Sequence, residues 1–179
     1  MGNLFAKLTK LVKTVNKLET ICLKINNMME MLDMTYDPTV LEAPWEETRW
    51  VCMSSFFFMG PAVYSYLNGL YSLCIVLMLT SLISANYWKN AIRSWERILD
   101  RIYAKVAFGI LFANGALYVR RWPFLLVGWS GVPFIGYCYY MSNKLAGEKV
   151  ATWWKYHIVF HFIMTVEQLI VIQSIVLKQ

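Results

Sequence analysis

Charge is scarce in this chain: 17 Lys and Arg with 11 Asp and Glu make up 16% of 179 residues, against about 25% in an ordinary soluble domain. Hydrophobic residues reach 58%, and mean hydropathy is +0.44. That excludes a water-soluble core, because ten Phe, eight Trp, eleven Tyr and ten Met cannot all hide behind so few charges. Disordered, collagen-like and purely coiled-coil chains fall with it. Cysteine is limited to four residues with no C-x-x-C spacing, and Cys52, Cys74 and Cys138 sit inside apolar runs, so they read as packing residues. The chain lacks a phosphate-cradling glycine loop, a Ser, Cys or Lys nucleophile triad, and a nucleic-acid module. It has no Lys in the middle of its last apolar segment to form a retinal Schiff base, no Asn-x-Ser/Thr sequon, and no internal repeat.

What is present is a succession of apolar segments. The net charge of +6 belongs to the Lys and Arg residues between them, as membrane topology places them. The bilayer is therefore the expected partner, and nucleic acid is not. In residues 1–33, Leu4, Leu8, Leu11, Val15, Leu18, Cys22, Ile25, Met29 and Leu32 recur at steps of three and four, which predicts a helix. Phe5, Val12, Ile21 and Met28 widen the stripe, and Lys10, Lys13, Lys17 and Lys24 lie opposite it. This fits an amphipathic helix in a membrane interface or docked on a bundle better than a coiled coil. The coiled-coil alternative would make the segment the contact of a homo-oligomer. Gly2 resembles a myristoylation signal, but Ala6 stands where Ser or Thr is wanted, and no continuous apolar stretch marks a secretory signal.

Residues 34–48 carry Asp37, Glu42, Glu46 and Glu47 with Pro38 and Pro44 and no Lys or Arg, which reads as an acidic linker. Residues 50–88 then contain no charge at all. This is nearly twice the ~20 residues that cross a bilayer once, so two helices are expected, reversing at Asn68-Gly69, with Pro61 kinking the first. The predicted architecture is an all-α, polytopic transmembrane bundle with about five spans in 49–179: 50–66, 70–87, 98–119, 122–142 and 154–177. The Lys and Arg distribution places the N-terminus in the cytoplasm, with Lys89, Arg93, Arg97, Lys144, Lys149 and Lys155 on that side and Arg120, Arg121 and Lys178 opposite. Trp residues near span ends read as interfacial anchors.

Only two histidines exist, as His157-Ile-Val-Phe-His161 near the start of the last span. A spacing of four puts both imidazoles on one helix face, able either to offer two nitrogens to one metal ion or simply to hydrogen-bond neighbouring carbonyls and water. Thr165 and Gln168 continue that face. If helices alternate direction, Ser84 and Asn86 at the end of the second span and Asp100 at the start of the third lie at the same depth. Asp100 is then a third metal ligand, a base acting on metal-bound water, or an ion-pair partner for Arg97 or Arg101. Glu167 falls near the bilayer midplane, where a carboxylate is protonated or paired. Asn114 and Ser130, at comparable depth, are its candidate partners, and its role is either structural or part of a polar path.

A polar cluster ending one helix (residues 79–88), Ile98-Leu99-Asp100 opening the next and His-x-x-x-His in the last together resemble the CREST superfamily of membrane metal hydrolases, which includes alkaline ceramidases and the adiponectin and progestin receptors. The superfamily carries Ser-x-x-x-His on its second helix; here Ser81 is followed by Ala85, with Asn86 beside the missing histidine. The resemblance implies a zinc-dependent hydrolase acting on lipid amides. His157 and His161 would hold zinc, Asp100 would coordinate it or take the proton of its water, and Ser81, Ser84 or Asn86 would steady the oxyanion. The alternative is a non-enzymatic membrane protein (a small transporter, channel subunit or scaffold) that uses Glu167.

Overall fold

The structure, a computed structural model, describes residues 36–178. The expected amphipathic helix at 1–33 lies outside them. The described chain is helical apart from one short antiparallel ladder, formed by β1 (Asp37–Leu41) and β2 (Ile92–Arg93). Helix α1 (Trp45–Ser55) runs through a 3-10 turn at Phe56–Phe58 into α2 (Met59–Leu67). Then come α3 (Tyr71–Lys89), α4 (Trp95–Tyr118), α5 (Trp122–Gly147) and α6 (Trp153–Val176). Three of these, α3, α5 and α6, are long and apolar enough to cross a membrane.

The other two expected spans are shaped differently, for identifiable reasons. Pro61 has no N–H to offer the carbonyl of Phe57, and the α-helical ladder gives way to the 3-10 turn immediately before it. In α4 the first turns carry Glu96, Arg97, Asp100, Arg101 and Lys105, so its uncharged part begins only at Val106. The reversal between α2 and α3 is a Schellman cap: Leu70 N donates to Ser65 O (2.9 Å) and Gly69 N to Tyr66 O (3.0 Å), with Gly69 at φ 74. Glycine adopts that left-handed backbone without a Cβ penalty.

The acidic segment is a strap rather than a linker. Glu42 binds Arg93 Nε at 2.7 Å and Arg97 Nη2 at 3.2 Å, and its amide donates to Ala91 O. Glu47 accepts a hydrogen bond from Trp153 Nε1. Carboxylates that would repel one another in isolation are thus offset, Glu42 by Arg93 of the loop after α3 and Arg97 of α4, and Glu47 by an indole N–H. At the exposed edge, Thr39 donates to Asp37 Oδ1 from both its amide (3.1 Å) and its hydroxyl (2.6 Å), which holds the Asp37 carboxyl below its ordinary value.

Apolar packing forms three layers. Val51, Tyr87, Trp88 and Trp153 close the strap end; Phe58, Ile135 and Met164 form a small middle group; Leu77, Leu111, Val171 and Ile172 fill the far end. Buried small hydroxyl residues (Ser54, Ser55, Ser65, Ser81, Ser84 and Ser142) let helices approach closely. Helix α6 is central, packing against α1, α2, α4 and α5, whereas among the described residues α5 leans chiefly on α6. Only 17% of the apolar window of α5 is buried, against 44% for α3 and 39% for α6, so α5 stands at the edge of the bundle. Outside the strap end, Trp50 stacks on Trp154, with the Arg49 guanidinium over one ring and the Lys155 ammonium over the other.

Arg97 is 1% exposed, so removing its carboxylate partner leaves a buried cation with fewer acceptors. Glu42→Ala is expected to destabilise the full chain by about 1–3 kcal/mol, and Glu42→Gln by less. Equilibrium unfolding in mixed micelles measures both.

Candidate functional site

Helices α4 and α5 are joined by the short turn 119–121, yet they touch only lightly along their length. An edge-to-face contact of Phe112 with Trp129 at 6.2 Å bridges them. The space between has α6 as its floor. One face of α6, at steps of four and three, presents His157, His161, Met164, Gln168 and Val171, spanning about 21 Å at 1.5 Å per residue.

The strap half of this space is a chamber of about 370 Å³. Ser84 from α3, Asp100 and Arg101 from α4, Ser142 from α5, and His157 and His161 from α6 line it, while Glu42 and Trp153 border its strap end. Its rim between α4 and α5 is not closed, since Ala104, Phe108 and Tyr139 are exposed there. Beyond a neck shared by Leu111, Ile135, Met164 and Gln168 the space continues as a smaller groove of about 90 Å³ around Glu167.

His157, His161 and Asp100 are each held by a serine hydroxyl. Ser54 Oγ lies 2.8 Å from His161 Nδ1 and also donates to Val51 O at 2.8 Å. A hydroxyl has one proton. With it on Val51 O, the neutral His161 ring carries its proton on Nδ1, and its Nε2 is a lone-pair acceptor. Ser142 Oγ holds His157 Nδ1 at 3.0 Å. The two imidazoles lie 4.8 Å apart, centroid to centroid, with ring planes at 79°, and Trp88 and Phe58 pack edge-on against them. Ser55 Oγ reaches Ser84 Oγ at 3.0 Å, and Ser84 hydrogen-bonds the Asp100 carboxylate.

Of the residues singled out by sequence, the chamber brings together Ser84, Asp100, His157 and His161. Asn86 is exposed and away from it: two residues past Ser84 turns the side chain by about 200° at 100° per residue. Ser81 is fully buried one turn deeper, and its hydroxyl has no partner. Thr165 donates to His161 O at 2.8 Å. Asn114 and Ser130 are not partners of Glu167; they bond Ile110 O and Val127 O of their own helices, at 2.8 and 2.9 Å. Gln168 is 2% exposed with Oε1 unpartnered. Sequence reasoning missed Ser54, Ser55 and Ser142. The adjacent hydroxyl pair at 54–55 in a charge-free run was the available signal.

Among the described residues the expected zinc site is short of one donor. Such a site needs three protein ligands converging on one point, and among the described residues no three His, Cys, Asp or Glu side chains do so. The chamber supplies two imidazoles, while Asp100 is engaged by Ser84. Comparison of the chain with family models, with curated proteins and with solved structures returns no match.

His161 is 3% exposed, so losing its hydroxyl partner leaves a buried ring nitrogen unsatisfied. Ser54→Ala is expected to cost about 1–3 kcal/mol, more than Ser142→Ala, because His157 is only half-buried. Thermal unfolding of the two variants in the same detergent gives the order.

Proposed function

We propose that the chain is a multi-pass membrane protein of about five spans with a cytoplasmic N-terminus, and that it binds the polar head of an amphipathic lipid in the chamber. The lipid's hydrocarbon leaves over the open rim between α4 and α5. The single observation that carries this reading is the make-up of the chamber: acceptors at Asp100, His157 and His161 and the cation Arg101 line it, and exposed Lys105 sits at its mouth with an exposed apolar and aromatic rim of Ala104, Phe108 and Tyr139. A head group with both donors and acceptors is complementary to the inside. A hydrocarbon chain is complementary to the rim, and the bilayer supplies it without a crossing through water.

In this reading the likeness to the CREST superfamily is one of layout. The protein is non-enzymatic: two imidazoles and a carboxylate recognise a head group by hydrogen bonds, and no hydrolytic step runs through them. A lipid amide hydrolase on the same residues requires a third donor to reach the imidazoles.

Gly136 lines the chamber, and a Cβ built there meets nothing within 4 Å, so Gly136→Phe is the substitution chosen to narrow it. Native mass spectrometry of the purified full chain is expected to show co-purified lipid, with occupancy in Gly136→Phe reduced at least about tenfold at unchanged thermal stability. Undiminished lipid in Gly136→Phe overturns the binding reading. One equivalent of zinc that disappears in His161→Ala would restore the hydrolase.

A further inference from the structure

The groove beyond the neck holds a second polar group that head-group binding does not use. Glu167 rises from the middle of α6 and is half-buried against α5. A Cβ on Gly128 would lie 3.2 Å from its Oε2, and one on Gly131 would overlap Oε1, so the carboxylate fills space that only glycine leaves. No ion pair or hydrogen bond reaches it among the described residues, since Asn114 and Ser130 spend their bonds on their own helices. Phe108, Phe112 and Trp129 wall the same groove, and Gln168, 2% exposed with Oε1 unpartnered, also lines it.

These groups share one electrostatic sign. A carboxylate, an amide oxygen and the faces of aromatic rings all present negative charge, and among the described residues no Lys, Arg or His lines the groove. An ionised carboxylate in hydrocarbon requires a cation. The walls also select the kind of cation. Three oxygens from two side chains, among phenyl, indole and aliphatic groups, cannot replace the six or more oxygens around a hydrated divalent ion, whereas an organic ammonium brings its own apolar surface. The unpartnered Gln168 oxygen calls for an N–H donor, which a quaternary ammonium lacks.

We propose that the groove around Glu167 is a binding site for a hydrophobic amine. A protonated primary or secondary ammonium donates to the Glu167 carboxylate and the Gln168 carbonyl, and its hydrocarbon lies against Phe108, Phe112 and Trp129. The site adjoins the head-group chamber at Phe108 and Gln168, but it is argued from Glu167 and does not rest on head-group binding.

The test is saturation binding of radiolabelled octylamine to the full chain in nanodiscs, with uptake by empty nanodiscs subtracted. Saturable binding is expected, with octanol and tetrabutylammonium failing to compete. Glu167→Gln, which keeps the side-chain shape, should weaken the amine at least about tenfold, and Trp129→Leu less. His161→Ala, which alters only the chamber, should leave amine affinity within roughly twofold. Absence of saturable binding, competition by octanol equal to that by unlabelled octylamine, or an unchanged affinity in Glu167→Gln overturns the proposal. So does a loss in His161→Ala as large as that in Glu167→Gln, which would place the amine in the chamber.

Discussion

In an apolar helical bundle a hydroxyl, an imidazole or a carboxylate has no water to turn to, and each must be answered from another helix or from its own backbone. The described part of this chain is organised around that requirement. His161 is answered by Ser54 of α1, His157 by Ser142 of α5, and Asp100 by Ser84 of α3. Glu47 of α1 receives the indole N–H of Trp153. Such bonds contribute only about 0.6 kcal/mol each on average inside membranes, but they are directional where lipid-like packing is not. They fix which faces of α1, α3, α4 and α5 turn toward the first two turns of α6.

The cleft follows from where those bonds end. Helices α4 and α5 are tethered at 119–121, but the polar ties of α5 run to α6. With so little of α5 buried, nothing draws it across to α4 except the ring contact of Phe112 and Trp129. Gly128 and Gly131 let α5 lie close to α6 over the Glu167 carboxylate. The space left between α4 and α5 therefore keeps a polar end, where the serines and histidines converge, and an aromatic end where a single carboxylate remains.

Parts of this arrangement are legible in the sequence because helical geometry is periodic. His157 and His161 share a face at any helix orientation, and alternating helix direction puts Ser84 and Asp100 at their depth. The same periodicity, applied with its angle as well as its depth, excludes Asn86. What the sequence does not disclose is pairing across distance: Ser54 meets a ring 107 residues away, and Glu42 meets Arg93 at a separation of 51. Without those partners the acidic segment reads as self-repelling, although Glu42 meets Arg93 and Arg97 and Glu47 meets the indole of Trp153. The break at Phe56–Phe58 is foreshadowed by Pro61, but a proline in a sequence says that a helix must yield, not whether it bends or changes its winding.

The chemistry open to the histidine pair is set by which nitrogens are spent. Both Nδ1 atoms face serine hydroxyls, and no hydrogen bond to either Nε2 is present among the described residues. That pattern matches the outer-sphere support of a metal-binding imidazole and equally that of an imidazole presented as a hydrogen-bond acceptor. The third ligand decides between them, and Asp100 is directed to Ser84 instead. The two rings stand 4.8 Å apart between centroids, with Arg101 lining the same chamber, so whatever enters there meets imidazole nitrogen and guanidinium together.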